Sequence, residues 1–550
     1  MRLPWLIWRF LLADLIRLGI LATAALVGLI AFAFAVRFLA EGRIDVAGAV
    51  RLMAMAVVPM LQYALPFACG FAATLAYHRF AADNEATAAS AGGISHRRVL
   101  APALFIGLLL SAGLFFMAHQ VIPLFLRSIE QTVTRDLTGV FVRAIERGEA
   151  VRLGAFEIHA SEVAKAGPDP AVGATERLRL RGVLAAQVTD AGEVRGYVSA
   201  DEVGVWLFEQ ELAGENIASA QLVFKGASGE GQGDLIQGGT IASQRVRIPS
   251  TFVDDPKYLT YQRLAALRTN PESIPRVDQL RRGLQLRLRQ QEAFEIIRSE
   301  LRTRGNTTLA RLGGERLELA AADLRDDAGR WLLVSPEAGT VTITRRLASG
   351  SALRVAASAA WIEPEDPDQG PTEGGALLRL VYDPTARVSS AESAETESIP
   401  ALSPQTVSVK HDHEDAAPTV SAALAQARDR LAAPGIPARE QLATAAKALA
   451  ARVADLQREV TSKMHERAAY ALACLFIMLC GAITALRRQS SLPLPVYLWS
   501  FFPALASVIT ISAGQGLTHK EGPLGLILLW GGVAALALYV AREYARLYRH

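Results

Sequence analysis

The 550-residue sequence has only three cysteines, Cys69, Cys474 and Cys480, and all three fall inside long apolar runs. No disulfide framework can therefore staple the polar parts, and the thiols read as apolar packers. No G-x-x-x-x-G-K-[ST] motif occurs, so the chain lacks a P-loop of its own. "GEGQGD" at Gly229 to Asp234 lacks the lysine and reads as a turn. "HERAA" at His465 to Ala469 begins like a zincin helix but has no second histidine one turn on. "HDHED" at His411 to Asp415 reads as a solvated charge cluster rather than a metal site, and "GASG" at Gly226 to Gly229 has no histidine partner in an apolar run. Charge is also missing where it would matter for a proton relay: six apolar runs contain no Asp, Glu, Lys or Arg.

What is present is apolar length. Hydrophobic residues make up 51% of the chain, and the six runs are Leu18 to Val36, Leu52 to Tyr77, Val99 to Ala118, Ala468 to Leu486, Val496 to Ala513 and Pro523 to Ala541. Roughly 20 residues at about 1.5 Å each cross a bilayer's hydrocarbon, so each run qualifies as a span. Pro59, Pro66 and Pro503 lie within spans, where neighbouring helices can shield the freed carbonyls. The first run, preceded by Arg2 and Arg9, has the flank of a signal peptide but is too long for an ordinary h-region. One set of flanks and loops carries Arg2, Arg9, Arg17, Arg79, Arg97, Arg98, Arg487, Arg488, Arg542, Arg546 and Arg549; the other carries only Arg37, Arg43, Arg51 and Lys520. The positive-inside rule puts the first set, and both termini, in the cytoplasm, with the polar middle outside.

The polar middle alternates in character. Residues 151 to 250 read as short strands with turn punctuation, a pattern suited to a sandwich or jelly roll, and a second β-rich stretch lies between about 308 and 382. Tyr258 to Arg304 reads as a partly solvated amphipathic helix with Leu280, Leu284, Leu288, Ile297 and Leu301 on its apolar side. Pro384 to Pro418 is rich in Ser, Glu, Thr, Pro and Ala and reads as a mobile linker. Glu440 to Glu466 carries Leu442, Leu449, Val453, Leu456, Val460 and Met464 in one stripe, which predicts a helix running into span four. Such a rod either transmits motion or merely packs under the sheet.

Between spans two and three lies a short interruption, Tyr77 to Val99. Its alanines predict a helix over Phe80 to Ala91, stopped by Gly92 and Gly93, with Asp83, Asn84 and Glu85 in its early part. Small side chains with one projecting carboxylate suit a close fit to a partner; a solvated connector is the plain alternative.

The stretch "RFAADNEATAASAGGIS", the preceding "WRFLLADLIR", the proline-bearing second span and "HERAAYALACLFIMLCGAITALRRQSS" together resemble the LptF/LptG family of lipopolysaccharide export permeases. The resemblance covers both groups of three spans and implies a polytopic α-helical membrane protein with a β-rich, jelly-roll-like periplasmic domain between helices 3 and 4. It implies that residues 78–95 form a coupling helix for a cytoplasmic ABC ATPase, with Glu85 at the acidic coupling position and Asp83, Asn84, Gly93 and Ser95 on the pattern. ATP and Mg would be bound by that ATPase dimer, none by this chain. The other implied partners are a second LptF/LptG-like permease or another copy of this chain, a periplasmic LptC/LptA-like bridge, and lipopolysaccharide or another membrane lipid; no nucleic acid is implied. Spans one and five border the lateral entry in that family, which makes Phe32, Phe34, Phe501 and Phe502 candidates for the acyl-chain wall, and Arg37, Arg43 and Arg127 candidates for the phosphate rim.

The expected organisation is 1–126 for spans 1–3, 127–257 for the jelly roll, 258–305 for a helical connector and 306–383 for an additional β-rich module. A linker at 384–418, stalk helices at 419–466 and spans 4–6 at 467–550 complete it. Two departures stand out: the outer part is longer than the family's usual one, and a glycine pair replaces the usual larger residue before the last glycine. The rival readings are an envelope scaffold or sensor without transport, and an exporter of a different lipid.

Overall fold

Among the described residues, six helices are long and apolar enough to cross a membrane: Trp5–Arg37, Val46–Ala82, His96–Leu126, Arg439–Arg487, Leu494–Glu521 and Leu524–Tyr548. The computed structural model describes residues 5–40, 46–126 and 255–311, most of 142–247 and 316–410, and 418–548 apart from 434 and 490. The expected contributors Arg43 and Arg127, and the "HDHED" cluster, lie outside the described residues. Two compact units emerge, one of residues 1–265 and 458–550, the other of residues 266–457.

In the first unit, α1 (Trp5–Ala40) packs along α2 (Val46–Ala82) and against α4 (His96–Phe116), while α9 (Pro493–Glu521) pairs with α10 (Leu524–Tyr548) and touches α2. The seven-residue α3 (Glu85–Ala91) lies between α2 and α4. Helix α8 (Arg439–Arg487) has 49 residues, and its charge-free part is buried on nearly every side. Small residues make that possible: Ala469, Ala471, Ala473, Cys474, Ala482 and Ala485 are each at most 2% exposed. Lipid offers no hydrophobic gain for helix pairing, so close backbone approach and short polar contacts hold spans together. Thr74 donates to the Gly70 carbonyl at 2.7 Å and lies 3.1 Å from the Ser500 hydroxyl, joining α2 to α9.

The first unit also holds an antiparallel sheet whose main path runs β1 (Val151–Leu153), β2 (Phe156–Lys165), β3 (Glu176–Val188), β4 (Val194–Leu212), β5 (Glu215–Lys225) and then the short strand Thr240–Ala242. Its buried positions change phase. On β3, Leu178 and Leu180 are buried, then Val183 and Ala185; on β4, Ala200 is followed by Val203 and Val205. The shift falls at Gly182, whose φ of +57° suits glycine and whose neighbours pair past it, Glu162 with Arg181 and Ala160 with Val183. The register is the same on both sides of Gly182, so no residue is inserted; the positive φ kinks the strand locally, and the alternate residues facing the core change there.

The second unit is an 11-stranded antiparallel sheet packed on α6 (Pro275–Arg304). Phe294 and Ile297 of α6 join Leu317, Trp331, Ile343, Ile362 and Leu380 of the strands in one core, with the Phe294 and Trp331 rings 5.1 Å apart and edge-on. α7 (Val420–Ala432) also contacts α6. Two expectations change here. The single helix over Tyr258 to Arg304 is interrupted into α5 (Tyr261–Thr269), a 3-10 turn at Pro271–Ser273 and α6, because Pro271 and Pro275 cannot continue a preceding helix. α6 is also more enclosed than an amphipathic reading allows, with Arg281, Gln290 and Gln291 buried beside its leucines.

The linker expected at 384–418 is corrected as well. Arg387–Ser390, Thr396–Glu397 and Gln405–Lys410 are strands, and the last lies inside the sheet, pairing Leu378 with Val407 on one side and Ala310 with Ser408 on the other. Its partners supply the order that its polar composition conceals.

Candidate coupling site and the charged ends of the spans

The turn between spans two and three is not one helix. α2 carries through Ala82, the Asp83 amide makes its last α-type bond to the Arg79 carbonyl at 2.9 Å, and the chain then breaks at Asn84. Asn84 has φ 59° and ψ 9°, a left-handed conformation that asparagine tolerates better than most residues. The helix expected over Phe80 to Ala91 is thus split: Asp83 and Asn84 form the corner, and Glu85 is the first residue of α3.

α3 ends as the glycine pair predicts. The Gly92 amide reaches the Ala88 carbonyl at 2.9 Å, Gly93 reaches Ser90 at 3.0 Å and Ile94 reaches Ala89 at 2.9 Å, with Gly93 at φ +74°. Such a reversal satisfies the last carbonyls of a helix. Ser95 starts α4, its carbonyl accepting from the Arg98 amide at 2.9 Å. Ala86 and Ala89 seat α3 on the core that contains Tyr77, Phe80, Val99 and Leu486. Asp83, Asn84, Glu85, Gly93 and Ser95 all remain exposed, so the five expected residues do form one outward-facing segment.

That segment is firmly footed. Buried Tyr77 donates to the Val99 carbonyl at 2.9 Å and accepts from the Ala103 amide at 3.3 Å, while the Trp8 indole donates to the Arg98 carbonyl at 3.0 Å. Arg97 donates to the Tyr544 hydroxyl at 3.1 Å, and its guanidinium lies 5.5 Å from the Tyr548 ring centre.

The candidate lipid wall divides. Phe501 stands in an aromatic row with Phe67 at 5.8 Å, Tyr497 at 5.5 Å and Phe502 at 6.0 Å. Phe32 and Phe34 lie on α1, Phe32 being exposed, and Arg37 is exposed near the end of the same helix. Phe67, Phe71, Tyr497, Ser500 and Phe501 line a shallow recess of about 180 Å³, counting its open side.

Among the described residues, three buried charges at the margins of the spans escaped the sequence reading. Arg467, 5% exposed, donates to the Leu259 carbonyl at 2.9 Å and to the Lys257 carbonyl at 2.8 Å, pinning the segment after the nine-stranded sheet to α8. Glu466 beside it pairs with Lys463 at 2.9 Å. At the other end of α8, Glu543 of α10 is 3% exposed and lies 2.8 Å from Arg487 Nε and 3.1 Å from Arg546. The Glu543–Arg487 contact is ionic, off the hydrogen-bond direction. The available signal was position: each of these residues sits just outside a charge-free run, where a solvated flank is the usual reading.

Helices of this length and a β-rich portion define a multi-pass membrane protein. Residues 6–218 match the family described as Lipopolysaccharide export system permease LptF/LptG, a likeness that extends over the first part of the chain. The match takes in the first three spans, α3 and the sheet as far as β5. No curated protein matches the chain.

Proposed function

We propose that this chain is the transmembrane subunit of an ABC transporter that extracts lipopolysaccharide, or a related envelope glycolipid, from the inner membrane. A separate cytoplasmic ATPase dimer, binding ATP and Mg, drives it. A second permease subunit or another copy of this chain closes the lipid cavity, and the lipid leaves by the jelly roll to a periplasmic bridge. Both termini and α3 are cytoplasmic in this reading, in keeping with the arginine-rich flanks.

The observation that carries it is α3: a separate short helix, seated by Ala86 and Ala89 on the span core and turning Glu85 outward. A lever must be joined to what it moves and free on its other face, and this segment is both. Asp83 and Asn84 form the corner beside the acid, while Gly93 and Ser95 set the return into α4. Phe32, Phe34, Phe501 and Phe502 supply apolar wall and Arg37, Arg43 and Arg127 phosphate contacts. In reconstituted membranes, Glu85→Arg is expected to lose the ATPase from the purified assembly and stop lipid release, with the chain still inserted. Undiminished ATPase association and lipid release in that variant refute the assignment.

A further inference from the structure

Force entering at α3 reaches spans one to three through the chain itself, but spans four to six are joined to that part only by way of the long polar middle. Direct transfer at the α3 end has to cross non-covalent contacts. We propose that the last two turns of α10 are the joint that carries it, with Arg97, Tyr544 and Tyr548 on one face and Glu543, Arg487 and Arg546 on the other. This rests on the coupling role proposed for α3.

The first face starts two residues after Ser95. Arg97 is held between a hydroxyl and a ring one helical turn apart on α10, the Tyr544 contact at 3.1 Å and the Tyr548 ring centre at 5.5 Å. Its neighbour Arg98 has its carbonyl fixed by Trp8 of α1, and Val99 has its carbonyl fixed by Tyr77 of α2. The start of α4 is therefore tied to α1, α2 and α10 together. An exposed arginine on a tyrosine is by itself a weak link.

The second face makes it more than that. Glu543, the residue before Tyr544, points into the protein, and a carboxylate so enclosed is costly unless cations meet it. Arg487, in the last turn of α8, meets it at 2.8 Å, and Arg546 meets its other oxygen at 3.1 Å. Separating α8 from α10 would leave buried Glu543 with only Arg546 of its own helix and strip Arg487 of its carboxylate, so the pair resists parting in a way that a greasy contact does not. Leu547 and Val540 of α10, Leu486 of α8 and Ala86 and Ala89 of α3 belong to one continuous core around this joint. Tyr544 and Tyr548 receive the load, and Glu543 hands it to span four.

The test uses the full chain assembled with its second permease and the ATPase in nanodiscs. Tyr544→Phe combined with Tyr548→Leu removes the hydroxyl and the ring while leaving Glu543 in place; Glu543→Gln attacks the other face. A fluorophore on a cysteine introduced at Ser491, just past α8, reports movement there on nucleotide addition. The double variant is expected to keep the ATPase bound and hydrolysing, yet release at least fivefold less lipid per ATP and lose most of the nucleotide-dependent fluorescence change. A purely structural staple would lower the yield of assembly without changing either ratio. Should Glu85→Arg abolish ATPase association while the double variant keeps wild-type lipid per ATP and fluorescence change, the joint is wrong and the coupling role stands. Should Glu85→Arg leave association intact, both fall.

Discussion

Gly481 sits where α8 crosses α2, and replacing it with alanine tests whether backbone contact sets that crossing. A Cβ there would lie 2.5 Å from the Gly70 carbonyl oxygen, 2.7 Å from Thr74 Oγ1 and 3.1 Å from the Thr74 amide nitrogen. Two of these are backbone atoms, and Thr74 Oγ1 is already engaged with the Gly70 carbonyl and Ser500. No rotamer change can clear the clash. Ordinary contact begins near 3.4 Å, so the helices must part by about 0.9 Å at the crossing. Overpacking of this kind costs about 1–3 kcal/mol, while alanine's helix preference returns up to about 1 kcal/mol. The net expectation for Gly481→Ala is a loss of roughly 0.5–2 kcal/mol. Gly113 of α4 is the control, because a Cβ there meets nothing within 4 Å and only the helix preference remains. Thermal unfolding of the purified chain in one detergent, followed by intrinsic fluorescence, should rank Gly113→Ala at or above the wild type and Gly481→Ala below it. Equal midpoints for the two variants would refute the packing argument.

Arg467→Met leaves the Lys257 and Leu259 carbonyls without their donor and is expected to cost about 2–4 kcal/mol, read as faster hydrogen exchange over 255–261. Asp323 accepts from Arg302 at 2.9 Å and from Arg298 at 3.2 Å, and the Arg302 hydrogen bond, the largest cause, holds its carboxyl well below the ordinary value of 3.8. Its folded value is the lower one, so its stabilisation is complete above about pH 4 and is lost as pH falls through the folded value. Exchange protection of Asp323–Asp327 and the end of α6 should therefore fade in that acid window, and Asp323→Asn should weaken it already at pH 7 and remove the acid step. The Cys69 and Cys474 sulfurs lie 3.8 Å apart, so a membrane-permeant oxidant should cross-link α2 to α8; no shift on a non-reducing gel, or one that persists in Cys474→Ser, contradicts the placement.

The spans were legible because a charge-free run of bilayer length needs no information from elsewhere in the chain. Much of the first sheet was legible through alternation, except where Gly182 shifts the phase and a strict period of two fails. The short helix between spans two and three was legible but misdrawn: alanine propensity reads straight through Asp83 and Asn84, and only asparagine's tolerance of positive φ hints at the corner. Gln405–Lys410 was hidden for a different reason. Its strand character comes from Leu378 and Ala310, both far away in sequence, while its own Gln, Thr, Ser and Lys resemble a loop. Glu543 and Arg467 were passed over for the same cause, since a charge at the margin of an apolar run looks solvated until its partner from another segment is placed beside it.

In the proposed coupling, span four receives the motion because of how its ends are held. Arg467 grips two carbonyls near one end of its apolar stretch, and Arg487 grips Glu543 at the other. Between them lies a surface of small residues with Gly481 at the crossing with α2. An axial slide of even one residue, about 1.5 Å, works against the contacts at both ends at once. Pivoting about one end works against the other end only. A push delivered through α10 therefore favours swinging span four about the Arg467 end, which moves its flank sideways against α2 and α9, the helices that carry Phe67, Tyr497 and Phe501. In the proposed export role, sideways motion of that row changes the width of the recess it lines, which is the displacement that extruding a lipid would require.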